Sequence, residues 1–273
     1  MARVGVVGHV EWVQFAVVGR VPVSGEIVHA GETFAEPAGG GAVAAVQLRK
    51  LAGSALFLTA LGSDDAAAHV TRRLAELGVE LHAGARSEPQ RRTFTYLDDA
   101  GERTITVLGE RIVPWLADPL PWDALATLDA IYLTGGDCGA VRAARGARVL
   151  VATPRALQAL AAASVRLDVL VRSATDPGEA YKPGMLDPAP RFVVSTRGAQ
   201  GGSWTGETSG SWKATPLPGP PVDAYGCGDS FAAALTFGLG AGMQMPEAID
   251  LAARCGAACL CGRGPYAGQL ELG

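Results

Sequence analysis

The segment Asp223-Ala-Tyr-Gly-Cys-Gly-Asp229-Ser-Phe231 packs two glycines and two carboxylates into one turn, and an Ala-rich helical pattern follows over 229–240. A glycine-rich turn at a helix start aims several backbone N–H groups in one direction. They lie at the positive end of the helix dipole, which makes an anion site. A carboxylate inside such a site repels the anion unless it has chemistry to perform. Taking the proton of a hydroxyl as that hydroxyl attacks a phosphorus is one such task, so the spacing points to phosphoryl transfer with Asp229 as the base. Asp is also a favoured helix cap and Gly-x-Gly is common in turns, which leaves a purely structural reading beside the chemical one.

Two more segments have chemical potential. Pro37-Ala-Gly-Gly-Gly-Ala42 runs straight into a helical pattern. Gly39, Gly40 and Gly41 permit close approach of a ligand to the backbone, or satisfy only a tight turn. Val193-Val-Ser-Thr-Arg-Gly-Ala-Gln-Gly-Gly202 ends a strand pattern in Thr-x-Gly. That places the Thr196 hydroxyl and the bare backbone of Gly198 where a triphosphate can lie, although an ordinary strand–turn–strand reads the same way. Gly5-Val-Val-Gly8 lacks the third glycine and the helical run of a dinucleotide fingerprint.

The elements that must position these residues alternate. Short apolar strand patterns lie at 4–7, 56–59, 131–133, 149–151, 169–171 and 192–195; helical patterns lie at 42–51, 65–77, 155–163, 229–239 and 245–261. This order predicts an α/β three-layer sandwich with a mostly parallel central sheet covered on both faces. Two stretches break the rhythm. Residues 91–107 alternate, are rich in Thr and aromatics, and turn at Asp98-Asp-Ala-Gly101, the pattern of a β-hairpin; residues 12–36 are similarly β-like. They are expected to form a small β sheet inserted into a single 273-residue domain, either a lid, since sheets over a site mouth commonly exclude water, or surface hairpins of no catalytic role. Pro216-Leu-Pro-Gly-Pro-Pro221 is a stiff connector into the 223–231 turn.

Composition narrows the partners. The chain has 273 residues, 48% hydrophobic and 18% charged, with net charge −4. That balance gives no electrostatic case for nucleic acid. No stretch of about 18 uncharged apolar residues suggests a membrane span, and the N-terminal run 1–8 reads as a first buried strand, not a signal peptide. The five cysteines lack paired CxxC spacing, and those at 255, 259 and 261 read as small packing residues on a helix. A reduced, cytoplasmic setting is expected.

The form Asp-x-x-Gly-x-Gly-Asp-x-Phe resembles the signature of the ribokinase-like (PfkB) carbohydrate kinases, and the resemblance runs through nearly the whole chain in order. It implies an ATP- and Mg²⁺-dependent kinase acting on a sugar or sugar-like hydroxyl. Asp229 would be the catalytic base and also touch substrate. Gly226, Cys227 and Gly228 would supply the anion hole, and Gly39 to Gly41 substrate contacts. Thr196, Gly198 and Asp223, with Ala253 and Gly256 at an adenine slot, would bind nucleotide. A homodimer joined through the lid is a further implication.

Three positions depart from the family pattern. The sugar-binding Asn at the glycine-rich helix start is replaced at about Ala44. The Asp after the first strand is absent from Gly8-His-Val-Glu-Trp12, where Glu11 is the substitute, with His9 and Trp12 shaping the pocket; Glu11 also fits an exposed strand-end charge. The Asn-x-x-Glu motif that organises Mg²⁺ through water is reduced to Arg172-Ser-Ala-Thr-Asp176-Pro-Gly-Glu179, leaving Asp176 or Glu179 in the acidic role, with Asp176 also a good helix cap. A nucleoside kinase of the same fold and a non-catalytic binding member remain as alternatives.

Overall fold

A computed structural model describes residues 2–272. Nine strands form one sheet in the order β13-β12-β11-β10-β9-β8-β1-β4-β5. From β1 (Val4–Val7) the chain builds outward through β4 (Leu56–Leu61) and β5 (Glu80–Ala85). It then returns to the other side of β1 for β8 (Ala130–Leu133), β9 (Val149–Ala152), β10 (Val169–Ser173) and β11 (Phe192–Thr196). These seven are mutually parallel, while β12 (Gly202–Gly206) and β13 (Gly210–Trp212) close one edge antiparallel. The reversal of direction between β1 and β8 makes a crevice at the carboxyl ends of those strands, the usual ligand position in open α/β sheets.

Helices cover both faces because the central strands are apolar on both. The four residues of β1 are all buried, as are those of β4 and β8. One face packs against α1 (Gly39–Ala52), α2 (Asp65–Glu76), α5 (Cys227–Gly240) and α6 (Met245–Leu260). The other packs against α3 (Cys138–Ala144) and α4 (Leu157–Ala163). The strands β5 and β13 and helix α3 lay outside the sequence expectations. Glu80–Ala85 is a half-exposed edge strand without a continuous apolar run, and α3 spans only seven residues.

The two segments that broke the α/β rhythm form a separate sheet, in the order β3-β2-β6-β7. It comprises β2 (Glu11–Val17), β3 (Glu32–Ala38), β6 (Arg92–Leu97) and β7 (Arg103–Leu108). The pairing β2–β6 is parallel, and the two flanking pairings are antiparallel. The hairpin tip lies over the 223–228 turn: Arg103 donates to the Ala224 carbonyl at 2.8 Å. No helix of the described residues is long and apolar enough to cross a membrane.

Candidate active site

Helix α5 starts two residues before the expected Asp229. Gly226 is its N-cap, in a left-handed conformation with φ 82°, and Cys227 is its first residue. Asp229 therefore occupies the third helical position and does not cap the helix, which corrects the structural reading of that residue. No side chain caps α5, and no protein acceptor among the described residues takes the N–H groups of Gly226, Cys227 and Gly228. A Cβ added at Gly228 would meet open space. The turn thus offers unfilled donors at the positive end of a 14-residue helix. Asp223 holds the turn in shape. It is buried, its Oδ1 accepts from Tyr225 N at 2.8 Å, and its Oδ2 accepts from Gly264 N at 2.9 Å. Both carboxylate oxygens are committed to backbone, away from the expected nucleotide contact.

The start of α1 meets the start of α5. Its first three residues are Gly39, Gly40 and Gly41, so the glycines lie inside the helix, not before it. Gly39 adopts φ 81° and faces His9 and Glu11. A Cβ at Gly40 would lie 2.9 Å from Asp229 Oδ1 and 3.4 Å from Thr134 Cγ2. Gly41 is pressed on the His9 carbonyl and the Phe57 ring. Gln269 locks the two helices together, donating to the Val43 carbonyl at 3.0 Å and to Ser230 Oγ at 3.2 Å. The position that matches the family's Asn, Ala44, is fully buried within α1.

Beside Asp229 lies a chain of charged groups that the sequence revealed only in part. Arg111 donates from one Nη to His9 Nδ1 at 2.7 Å and to the Thr134 carbonyl at 2.9 Å. His9 Nε2 stands 3.3 Å from Glu11 Oε1, and Arg91 Nε stands 3.4 Å from the same oxygen. A guanidinium can only donate and a carboxylate only accept, so His9 is neutral with its proton on Nε2. Burial and the charge of Arg111 agree, holding the His9 pKa down at about 4. Burial alone would raise the Glu11 carboxyl, but the His9 hydrogen bond and the two arginines outweigh it and keep it below the ordinary range. Glu11 is 7% exposed, which removes the exposed strand-end reading. Trp12, next along β2, points the opposite way and stacks on His69 at 5.3 Å, so it is not the pocket wall expected of it.

Asp229 itself is half-buried, and its pKa is raised to about 6. Desolvation is the main cause and the negative charge of Glu179 the next; Arg103 and Arg155 oppose them. Such a carboxyl is ionised at neutral pH and more basic than an exposed Asp. Asp176 and Glu179 are both paired with Arg155, at 2.5 and 3.4 Å. Asp176 also caps the short turn Pro177–Glu179, and Glu179 accepts from Ser173 N at 2.6 Å. No group of three or more His, Cys, Asp or Glu among the described residues could hold a metal ion. The chain alone does not build a closed metal site at these residues.

The expected nucleotide residues divide. Thr196 ends β11 and Gly198, φ 52°, opens the turn Gly198–Gln200 on the same edge of the sheet. Ala253 lines a cleft of about 210 Å³ between α6 and β12–β13, walled by Trp204 and Trp212. Trp212 in turn stacks on Phe231 of α5 at 5.7 Å. Gly256 serves packing: a Cβ there would lie 3.3 Å from the Cys227 carbonyl. A larger groove, about 700 Å³, runs along the outer side of α6 past Met243, Glu247 and Arg254, away from Asp229. Arg91, Arg103, Arg111, Thr134 and Arg155 were not anticipated. Thr134-Gly135-Gly136, straight after an apolar strand, was the signal available for one of them.

With this geometry in place, comparison with known proteins is informative. The pattern described as pfkB family carbohydrate kinase matches residues 1–168 and 172–271. No curated protein sequence matches the chain. Among solved structures, a putative ribokinase from Agrobacterium tumefaciens is similar with TM-score 0.81 and 19% identity, covering 98% of this chain and 94% of that one. Ribokinase from Arabidopsis thaliana complexed with ribose and ATP has TM-score 0.76 and 19% identity, covering 99% and 96%. Phosphofructokinase-2 from Escherichia coli, in complex with substrates and products, has TM-score 0.75 and 16% identity, covering 96% and 94%. At these identities the structural likeness shows the fold.

Proposed function

The chain belongs to the PfkB family of carbohydrate kinases, and from that premise we propose that it transfers the γ-phosphoryl group of ATP to a hydroxyl of a sugar or sugar-like acceptor. One observation carries the reading: a half-buried carboxylate of raised pKa, Asp229, stands in the first turn of an uncapped helix whose N–H groups are unfilled. The acceptor lies between Gly40 and the His9–Glu11 pair. Asp229 takes the proton of the attacking hydroxyl, the O–P bond to the acceptor forms, the bond to ADP breaks, and ADP leaves with the electron pair. The N–H groups of Gly226, Cys227 and Gly228 stabilise the charge on the phosphoryl oxygens in transit. Oriented donors of this type are each worth about 10²–10³ in rate.

Glu11 and the backbone of Gly39 to Gly41 position the acceptor. Thr196 and Gly198 lie along the triphosphate, and the Ala253 cleft receives the base. Gly256 and Asp223 act on nucleotide binding indirectly, through helix spacing and turn shape. Asp176 and Glu179, both paired with Arg155, would hold the Mg²⁺ of Mg²⁺-ATP, which would neutralise phosphate charge. The relatives described as binding ribose, ATP and fructose-6-phosphate support this substrate class. The lid closes over the acceptor and joins two copies through its outer strand β7.

The test is ADP release from Mg²⁺-ATP against a panel of sugars, sugar derivatives and nucleosides, with Asp229→Asn alongside wild type. Turnover with one acceptor class that drops at least about 10³-fold in the variant is the expected result. Turnover indifferent to Asp229 would remove it from the catalytic role. ATP binding without any acceptor-dependent turnover would favour the non-catalytic member.

A further inference from the structure

Beside Asp229, the cluster of His9, Glu11, Arg91 and Arg111 carries one more positive charge than negative. His9 is neutral, Glu11 contributes one negative charge, and Arg91 and Arg111 contribute two positive ones. Glu11 Oε1 is shared between His9 at 3.3 Å and Arg91 at 3.4 Å. Arg111 spends its Nη groups on His9, the Thr134 carbonyl and the Arg155 carbonyl, all of them uncharged. The Nε atoms of Arg91 and of Arg111 are buried without any hydrogen-bond partner, and so is Thr134 Oγ1. Burial, and after it the neighbouring Arg91, push the Arg111 pKa down to about 10. The positive end of α1 adds to the imbalance from Gly39, which lies against His9 and Glu11.

This cluster is continuous with the reacting centre. Thr134 borders both Arg111, through its carbonyl, and Gly40, whose other neighbour is Asp229 Oδ1. Buried guanidinium groups left with open donors destabilise a fold unless something fills them, and the planar fork of Arg suits a carboxylate or phosphate. Arg155, by contrast, has two carboxylate partners, Asp176 and Glu179, whereas Arg91 and Arg111 have only Glu11 between them.

We propose that the acceptor carries its own acidic group, and that Arg91 and Arg111 bind that group while Asp229 activates a hydroxyl elsewhere on the same molecule. The substrate class is a sugar acid or a sugar phosphate, not a neutral sugar. This rests on the kinase reading for the fate of the hydroxyl, but the binding of the anion stands on the arginines alone. Arg91 is a specificity residue; Arg111 both binds the anion and fixes the His9 tautomer that orients Glu11.

The test uses the full chain and two readouts, calorimetric binding and ADP release, on matched sets: glucose, gluconate and glucose 6-phosphate; fructose and fructose 6-phosphate; ribose and ribose 5-phosphate. At least one acidic member should exceed its neutral counterpart in affinity and in kcat/KM by about 100-fold, the size expected for pairing a buried charge. Whether the carboxylates or the phosphates respond identifies the acidic group. Arg91→Gln should remove most of that preference through KM, and Arg91→Lys should restore part of it. Because Arg111 also holds two backbone carbonyls and the Arg91 side chain holds none, Arg91 provides the variant that folds. Acid binding without ADP release would support the anion site and overturn the kinase reading. ADP release from neutral sugars with no acid preference would overturn the anion site and leave the kinase reading intact. Failure of every acid to bind, or a preference unchanged in Arg91→Gln, would also overturn the anion site.

Discussion

Asp229 is held where ionisation is disfavoured, and this has an opposite sign for stability and for catalysis. Its folded pKa of about 6 lies above the ordinary value of 3.8, so the folded state is penalised for carrying the charge. The penalty is absent below the unfolded pKa, grows between the two values and is complete above about 6. Asp229→Asn should therefore melt at a higher temperature than wild type at pH 7, by about 1–2 kcal/mol of stability given that the carboxyl keeps some solvent contact. The gap should close as pH falls to 4. Thermal melts of both proteins from pH 4 to 8 check this, and a variant less stable at pH 7 would mean the carboxylate is well paired in the fold. The same ionisation predicts that kcat/KM declines below about pH 6, with Asp229 in its protonated form unable to accept the hydroxyl proton. Taking the ratio of pH profiles for an acidic and a neutral acceptor separates Asp229 from titration of the substrate.

At the scale of elements, the site is the meeting of two helix starts with the carboxyl ends of β1 and β8, and glycine permits the meeting. A methyl group at Gly40 would sit 2.9 Å from Asp229 Oδ1, so Gly40→Ala must turn the carboxylate or shift α1. Gly226 needs its left-handed φ of 82° at the N-cap. In the proposed anion hole Cys227 contributes only its backbone N–H, a role that needs no particular side chain. Gly40→Ala and Gly226→Ala should each lower kcat by about 10²-fold, since displacements near 1 Å are costly to attack geometry, while Cys227→Ser stays within severalfold of wild type. Steady-state kinetics on the three variants decide it, and a Cys227→Ser loss as deep as the glycine losses would place the thiol in the chemistry.

This also explains what the sequence disclosed. Gly39 to Gly41 and Gly226 to Asp229 are local signals, because a helix start announces itself within a few residues. The β lid was legible from alternation in 91–107 and a turn at Asp98. Arg91, Arg111 and Arg155 were not, since each is a common surface residue whose partner lies far along the chain: Arg111 reaches His9 across 102 positions. The turn-shaping bond of Asp223 was hidden for the same reason. Its spacing matched a motif, while its partner Gly264 lies 41 residues away.

At the scale of the molecule, the lid's outer strand is the least finished part of the surface. Every residue of β7 is exposed, and Ile105, Val107 and Leu108 leave 42%, 46% and 47% of their area to solvent. One edge of β7 pairs with β6, and its other edge has no strand partner among the described residues. An edge strand with apolar side chains and open N–H and C=O groups pairs readily with another chain. A second copy is the occupant expected from the lid, and pairing β7 with β7 would convert two four-stranded sheets into one layer. The consequence reaches the site, because Arg103 of β7 donates to the Ala224 carbonyl of the turn before α5 and its charge favours the ionised form of Asp229. Dimerisation should thus stiffen the lid and raise activity. Light scattering at tens of micromolar should give twice the 28.0 kDa of the chain, and dilution should lower specific activity as the dimer dissociates. Val107→Lys with Ile105→Lys should yield a folded monomer of lower activity, because two charges on the shared strand oppose pairing. A wild-type protein that is monomeric at that concentration and fully active would show that the lid closes on its own.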